Sequence, residues 1–70
     1  MPTEIAVTIN GVRRFIDPDV TLVGVIRSLD LDPERVAVEL NRAIVKRERW
    51  AETKVPAAAE IEIVQFVGGG

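Results

Sequence analysis

The stretch Glu4-Ile5-Ala6-Val7-Thr8-Ile9-Asn10-Gly11-Val12-Arg13-Arg14-Phe15-Ile16 decides the fold. From Glu4 to Ile9, apolar side chains alternate with smaller or polar ones, the period of a half-buried strand. Asn10-Gly11 follows, the strongest two-residue hairpin signal, because both central positions of a type I′ turn need positive φ. The chain then returns through Val12, Arg13, Arg14, Phe15 and Ile16. In a tight register Ile9 faces Val12, Val7 faces Arg14 and Ile5 faces Ile16. Arg14 thus falls on the inner face. Either it sits near the sheet edge with its head in water, or a bulge turns Phe15 inward.

Beyond the hairpin, Asp17-Pro18-Asp19 breaks the strand, since proline has no ladder donor. Thr21 is placed to cap a helix. After it, Leu22, Val25, Ile26 and Leu29 recur on one apolar helical face. Gly24 inside this helix costs up to ~1 kcal/mol relative to alanine, and is expected to permit close packing on the sheet. Leu31-Asp32-Pro33-Glu34 turns the chain. Val36-Ala37-Val38-Glu39-Leu40 alternates again, with Val36, Val38 and Leu40 inward. Asn41-Arg42 is a weaker turn signal, and Ala43-Ile44-Val45 reads as a short returning strand. The charged segment from Lys46 to Glu52 surrounds Trp50 and suits a single helical turn. Pro56-Ala57-Ala58-Ala59 is a connection. Glu60-Ile61-Glu62-Ile63-Val64-Gln65-Phe66-Val67 is the last and most apolar strand, followed by Gly68-Gly69-Gly70. The class is α+β: a mixed sheet of four to five strands packed against one main helix. The expected division is a domain over 1–67 and a flexible glycine tail over 68–70.

Seventy residues make room for one domain. A hydrophobic share of 47% beside 29% charged residues argues against disorder. No apolar run approaches the ~20 residues that span a bilayer. The opening Met1-Pro2-Thr3-Glu4 lacks the basic segment and apolar block of a secretion signal. A cytoplasmic location without membrane attachment is therefore expected. The chain has no cysteine, no histidine and no tyrosine, and Ser28 is its one serine. So few nucleophiles and bases argue against catalysis by this chain alone. Asp30 and Asp32 flank Leu31 without any further ligand pattern, so no metal site is expected. A net charge of -2 disfavours nucleic-acid binding. The remaining roles are binding module, structural piece or passive carrier.

The terminal glycines can be a frayed end or an arm that delivers a carboxylate. Glycine has no Cβ, so such an arm passes through a channel too narrow for other residues. With Phe66 and Val67 included, it reaches ~15 Å at ~3.3 Å per residue. Ordering the glycines costs roughly 1–2 kcal/mol each, which a docking surface on the body must offset. The last strand supplies one. If Ile61 and Ile63 pack inward, Val64 and Phe66 point outward beside the tail, and a single helix covers only one sheet face. Val67 belongs to the same docking end. Lys46, Arg47 and Arg49 read as a solvated segment partly neutralised by Glu48 and Glu52, or as a site for an acidic partner. Trp50 reads as a packing anchor.

These residues resemble the thiazole-biosynthesis sulfur carriers, the ThiS family, which have the ubiquitin-like β-grasp fold. The resemblance rests on Ile9-Asn10-Gly11, on Thr21-Leu22 and on the run from Val36 to Trp50, above all Ile44-Val45-x-Arg47-Glu48-x-Trp50. The close from Ile61 to Gly70 completes it. Lys46 stands where many relatives have proline, and Pro56-Ala57-Ala58-Ala59 replaces a usual Asp-Gly-type turn. The resemblance implies that an adenylating enzyme of the ThiF/MoeB kind uses ATP and magnesium to activate the Gly70 carboxyl. Sulfur from a persulfide donor then gives a thiocarboxylate, which serves a ThiG-like thiazole synthase in thiamine biosynthesis. It implies that the chain binds no cofactor of its own. Gly70 is then the modified residue, Gly68 and Gly69 the passage, and Val64, Phe66 and Val67 the docking end.

Three other readings share parts of this pattern. The small sulfur-carrying subunit of molybdopterin synthase has the same fold, tail and chemistry. A β-grasp interaction module would never be activated. A protein-conjugating modifier would join its tail to a lysine.

Overall fold

The computed structural model describes residues 3–66. Strand β1 (Ile5–Ile9) and strand β2 (Val12–Ile16) form the expected hairpin, in register from Ile5 opposite Ile16 to Ile9 opposite Val12. Asn10 and Gly11 both have positive φ, 50° and 80°, as their turn requires. The pairing settles the place of Arg14. There is no bulge; β2 is an edge strand, Arg14 is exposed, and Phe15 points to the opposite face. Charge along an edge strand also hinders pairing with other chains.

Helix α1 (Leu22–Ser28) starts where Thr21 Oγ1 accepts the Gly24 N–H at 3.3 Å. The one serine is used locally, its hydroxyl donating to Val25 O at 2.7 Å. Leu22, Val25 and Ile26 are buried against the sheet, and Leu29 packs beside them. Gly24 departs from expectation. A Cβ at this position would lie 2.7 Å from Val20 Cγ2, so the close approach is to the segment before the helix rather than to the sheet.

A 3₁₀ turn, Pro33–Arg35, leads into β3 (Val36–Leu40), and a turn at Asn41 and Arg42 (φ 51° and 70°) returns β4 (Ala43–Val45). A second 3₁₀ segment, Arg47–Glu52, is longer than the single turn expected. Its Trp50 is buried and donates its indole N–H to Val45 O at 2.7 Å, which ties the segment to β4. The link from there to the last strand is more than a connection. Thr21 bridges Lys54, the Leu22 N–H donates to Thr53 O and the Val55 N–H to Val20 O. Val55 and Ala59 thereby enter the core.

Strand β5 (Glu60–Gln65) runs through the middle of a five-stranded sheet of order β2-β1-β5-β3-β4. It is parallel to β1 and antiparallel to β3. This mixed sheet with one main helix is the β-grasp arrangement. Val7, Ile9, Val36, Val38, Ile61 and Ile63 supply its inner face. Each fully buried aliphatic side chain contributes about 1.5–3 kcal/mol relative to exposure. The expected boundary between 67 and 68 lies outside the described residues.

Candidate functional site

Period-two alternation sends every other side chain of β3, β4 and β5 away from α1. With Ile61 and Ile63 inward, Glu62 and Val64 point out on β5. Ala37 and Glu39 do so on β3 and Ile44 on β4. The register places Val64 opposite Ala37, Glu62 opposite Glu39, and Ile44 opposite Glu39 on its other flank. Val64 is 61%, Phe66 57% and Ile44 77% exposed. Phe15 lies on this outer face too, opposite Ala6, with the Arg13 guanidinium 5.8 Å from its ring centre.

Phe66 follows β5 directly, and its N–H donates to Arg35 O at 2.7 Å. That bond fixes where the chain leaves the sheet, beside the 3₁₀ turn at Pro33–Arg35. A shallow depression collects Ala37, Ile44, Lys46, Arg47 and Phe66. The outward placement expected of Val64 and Phe66 is therefore found, and the two flank the exit of the chain. Val67, Gly68, Gly69 and Gly70 lie outside the described residues. The basic segment is solvated: Arg49 pairs with Glu52 at 2.9 Å, and Lys46, Arg47 and Glu48 are exposed. Asp32 caps its 3₁₀ turn by accepting the Glu34 N–H at 2.9 Å.

Ile44 is the outward residue that reading by composition overlooked. Its signal was present, because a two-residue turn at Asn41-Arg42 forces Ile44 opposite Glu39, and Glu39 lies between the inward Val38 and Leu40.

Among the described residues no three histidine, cysteine, aspartate or glutamate side chains gather as a metal site. No described helix is long and apolar enough to cross a membrane. What this face can do chemically is bind, next to a chain end that leads to the glycines.

A model of the ThiS family matches residues 7–70. The chain belongs to the ThiS family. Among its relatives, the sulfur carrier protein ThiS of Bacillus subtilis is 40% identical over 50 residues, 71% of this chain and 76% of the relative. Thiazole synthases of Magnetococcus marinus and Paramagnetospirillum magneticum are each 37% identical over 62 residues, 89% of this chain. The chain spans only 19% of the length of either thiazole synthase. The crystal structure of the thiamine biosynthesis protein ThiS of Geobacter metallireducens superposes with a TM-score of 0.80 at 29% identity. That superposition covers 94% of this chain and 100% of the other. The ThiS-family match thus takes in both the outer face and the glycines at 68–70, which the fold alone does not connect.

Proposed function

We propose that this chain is a sulfur carrier protein of thiamine biosynthesis, working through the carboxylate of Gly70. The observation that carries the reading is the family match across residues 7–70, which runs to the final glycine. The likeness to a sulfur carrier of Bacillus subtilis supports it further. In this reading a Gly70 carboxylate oxygen attacks the α-phosphate of ATP on an adenylating partner, which supplies magnesium, and pyrophosphate leaves. Attack by a persulfide sulfur on the acyl carbon then expels AMP. Cleavage of the S–S bond by a thiol leaves the thiocarboxylate. None of these steps asks a side chain of this protein for a proton or an electron pair, which suits a chain without cysteine or histidine. Gly68 and Gly69 serve as the thin part of the arm, and Val64, Phe66 and Val67 as the docking end of the body.

The receiving partner in this reading is a thiazole synthase. The likeness of this chain to part of two thiazole synthases supports that choice over molybdopterin synthase. The test is intact-mass analysis after incubation with the adenylating enzyme, ATP, magnesium and a persulfide donor. The expected result is the mass gain of one oxygen replaced by sulfur, mapped to Gly70. An unchanged mass with every candidate activating enzyme overturns the carrier reading, and appearance of the chain on lysines of other proteins makes it a modifier instead.

A further inference from the structure

Glu39 and Glu62 stand directly opposite each other on β3 and β5, both exposed and both on the face turned away from the helix. Paired residues on neighbouring strands have Cα atoms about 5 Å apart, and like charges in that position weaken a sheet. Four carboxylates of the described residues have cations nearby: Glu60 with Arg42 at 3.6 Å, Glu52 with Arg49 at 2.9 Å, Asp32 with Arg35 at 3.8 Å and Asp19 with Lys54 at 3.9 Å. Among the described residues no ion pair reaches Glu39 or Glu62. Exposed apolar side chains stand on two sides of the pair, while Arg42 and Glu60 share a hollow with Glu62, and Lys46 lies in the depression with Ala37, Ile44 and Phe66. Ile44 opposes Glu39 on its other side, Ala37 and Val64 form the next outward row, and Phe66 lies beyond them.

We propose that this half of the outer face docks a partner surface bearing an arginine or lysine within an apolar ring, with the cation seated between Glu39 and Glu62. The proposal rests on the sulfur-carrier reading in one respect only: the partner is taken to be the adenylating enzyme that receives the chain end beside Phe66.

The argument comes from what each occupant would bury. Covering Ile44, Val64 and Phe66 takes the adjoining carboxylates partly out of water. A purely apolar partner would leave two partly desolvated anions without a partner, which costs more than the apolar contact returns. A second copy docked with its two-fold axis through the Glu39 and Glu62 pair would set that pair against itself. A copy offset from that axis would bring its exposed Lys46 and Arg47 instead, and self-association of the wild-type chain separates that case. A cation removes both penalties and also relieves the repulsion already present in the free protein. Arginine fits best, because its planar fork offers several donors to two carboxylates at once.

The test uses the full chain and the adenylating enzyme of the same genome, with the double variant Glu39→Gln/Glu62→Gln and the single variant Glu39→Gln. Binding is read by calorimetry across a salt series, and conversion by intact mass. The double variant should bind at least about tenfold more weakly, raise KM for conversion in step, and lose most of the salt dependence, while its melting temperature is unchanged or higher. The single variant should fall between. Equal affinity and equal salt dependence for all three proteins overturn the proposal, even where the wild-type chain is converted normally. Self-association of the wild-type chain that the double variant strengthens or weakens also overturns it, since the face would then serve a second copy. A wild-type chain that binds with this salt dependence but gains no sulfur overturns the carrier reading and leaves the docking result standing.

Discussion

Asn10 and Ile63 exchange two hydrogen bonds: the Ile63 N–H donates to Asn10 Oδ1 at 2.7 Å, and Asn10 Nδ2 donates to Ile63 O at 3.0 Å. The asparagine side chain thus takes the place of a strand residue where β1 has already turned away. On the opposite side of β5, Asn41 Oδ1 accepts the Glu60 N–H at 2.9 Å. The two turn asparagines have backbone N–H groups that also donate to β5, Asn10 to Ile61 O and Asn41 to Glu60 O. Both hairpin turns therefore clamp the central strand from its two sides.

Asn10→Ala should destabilise the protein by about 2–4 kcal/mol, from two lost hydrogen bonds that leave Ile63 groups unpaired and from a positive φ without asparagine. Asn41→Ala removes one exposed side-chain bond and should cost about half as much. Urea denaturation followed by circular dichroism measures both. Equal losses would assign the cost to turn geometry alone.

Gly24→Ala tests two opposed terms. Alanine favours the helix by up to ~1 kcal/mol, but its Cβ meets Val20 Cγ2 at 2.7 Å. Valine is stiff at χ1 and half-buried here, so the clash should win, with a net loss of about 1 kcal/mol. In a double-mutant cycle with Val20→Ala, the double variant should be more stable than the sum of the two losses predicts.

Trp50→Phe keeps an aromatic ring but leaves Val45 O without its donor. An expected loss of about 1–2 kcal/mol should appear in a thermal or urea melt. Trp50→Ala should cost about 3–5 kcal/mol by emptying the site.

Phe66→Asp separates docking from folding. Phe66 is 57% exposed, so its stability effect should stay within about 0.5 kcal/mol, while binding to the adenylating enzyme falls at least about tenfold. A large stability loss would mean that Phe66 belongs to the packed body.

Deletion of Gly70 should leave the melting temperature unchanged, because the buried cluster of the described residues runs from Val7 to Ile63, and should abolish conversion. Conversion of the shortened chain near the wild-type rate would refute a role for that carboxylate.

Much of this architecture was written in local pattern. The Asn10-Gly11 hairpin, its register, the Thr21 cap and the inward triad Val36, Val38 and Leu40 depend on turn chemistry and period alone, and all are present. The outward placement of Val64 and Phe66 followed from the same alternation. What escaped local reading depends on distant partners. Arg14 could be placed only once β2 was known to lie at an edge. Ala59 and Val55 look like loop residues, yet pairing of 53–55 with 20–22 draws that segment over the helix start. The side-chain bonds from Asn10 to Ile63 span most of the chain, and the opposition of Glu39 to Glu62 emerges only when β3 and β5 are set side by side.

The position of β5 has a consequence for biosynthesis. It is made after the other four strands, yet it alone joins the β2-β1 half of the sheet to the β3-β4 half. On the ribosome the earlier elements can form two separate hairpins and a helix, but they cannot close into one sheet until the final strand emerges. A chain cut short before Glu60 would keep its inner-face side chains exposed and be open to proteolysis. Passing the cell's folding surveillance thus certifies that translation has proceeded to within a few residues of the glycines.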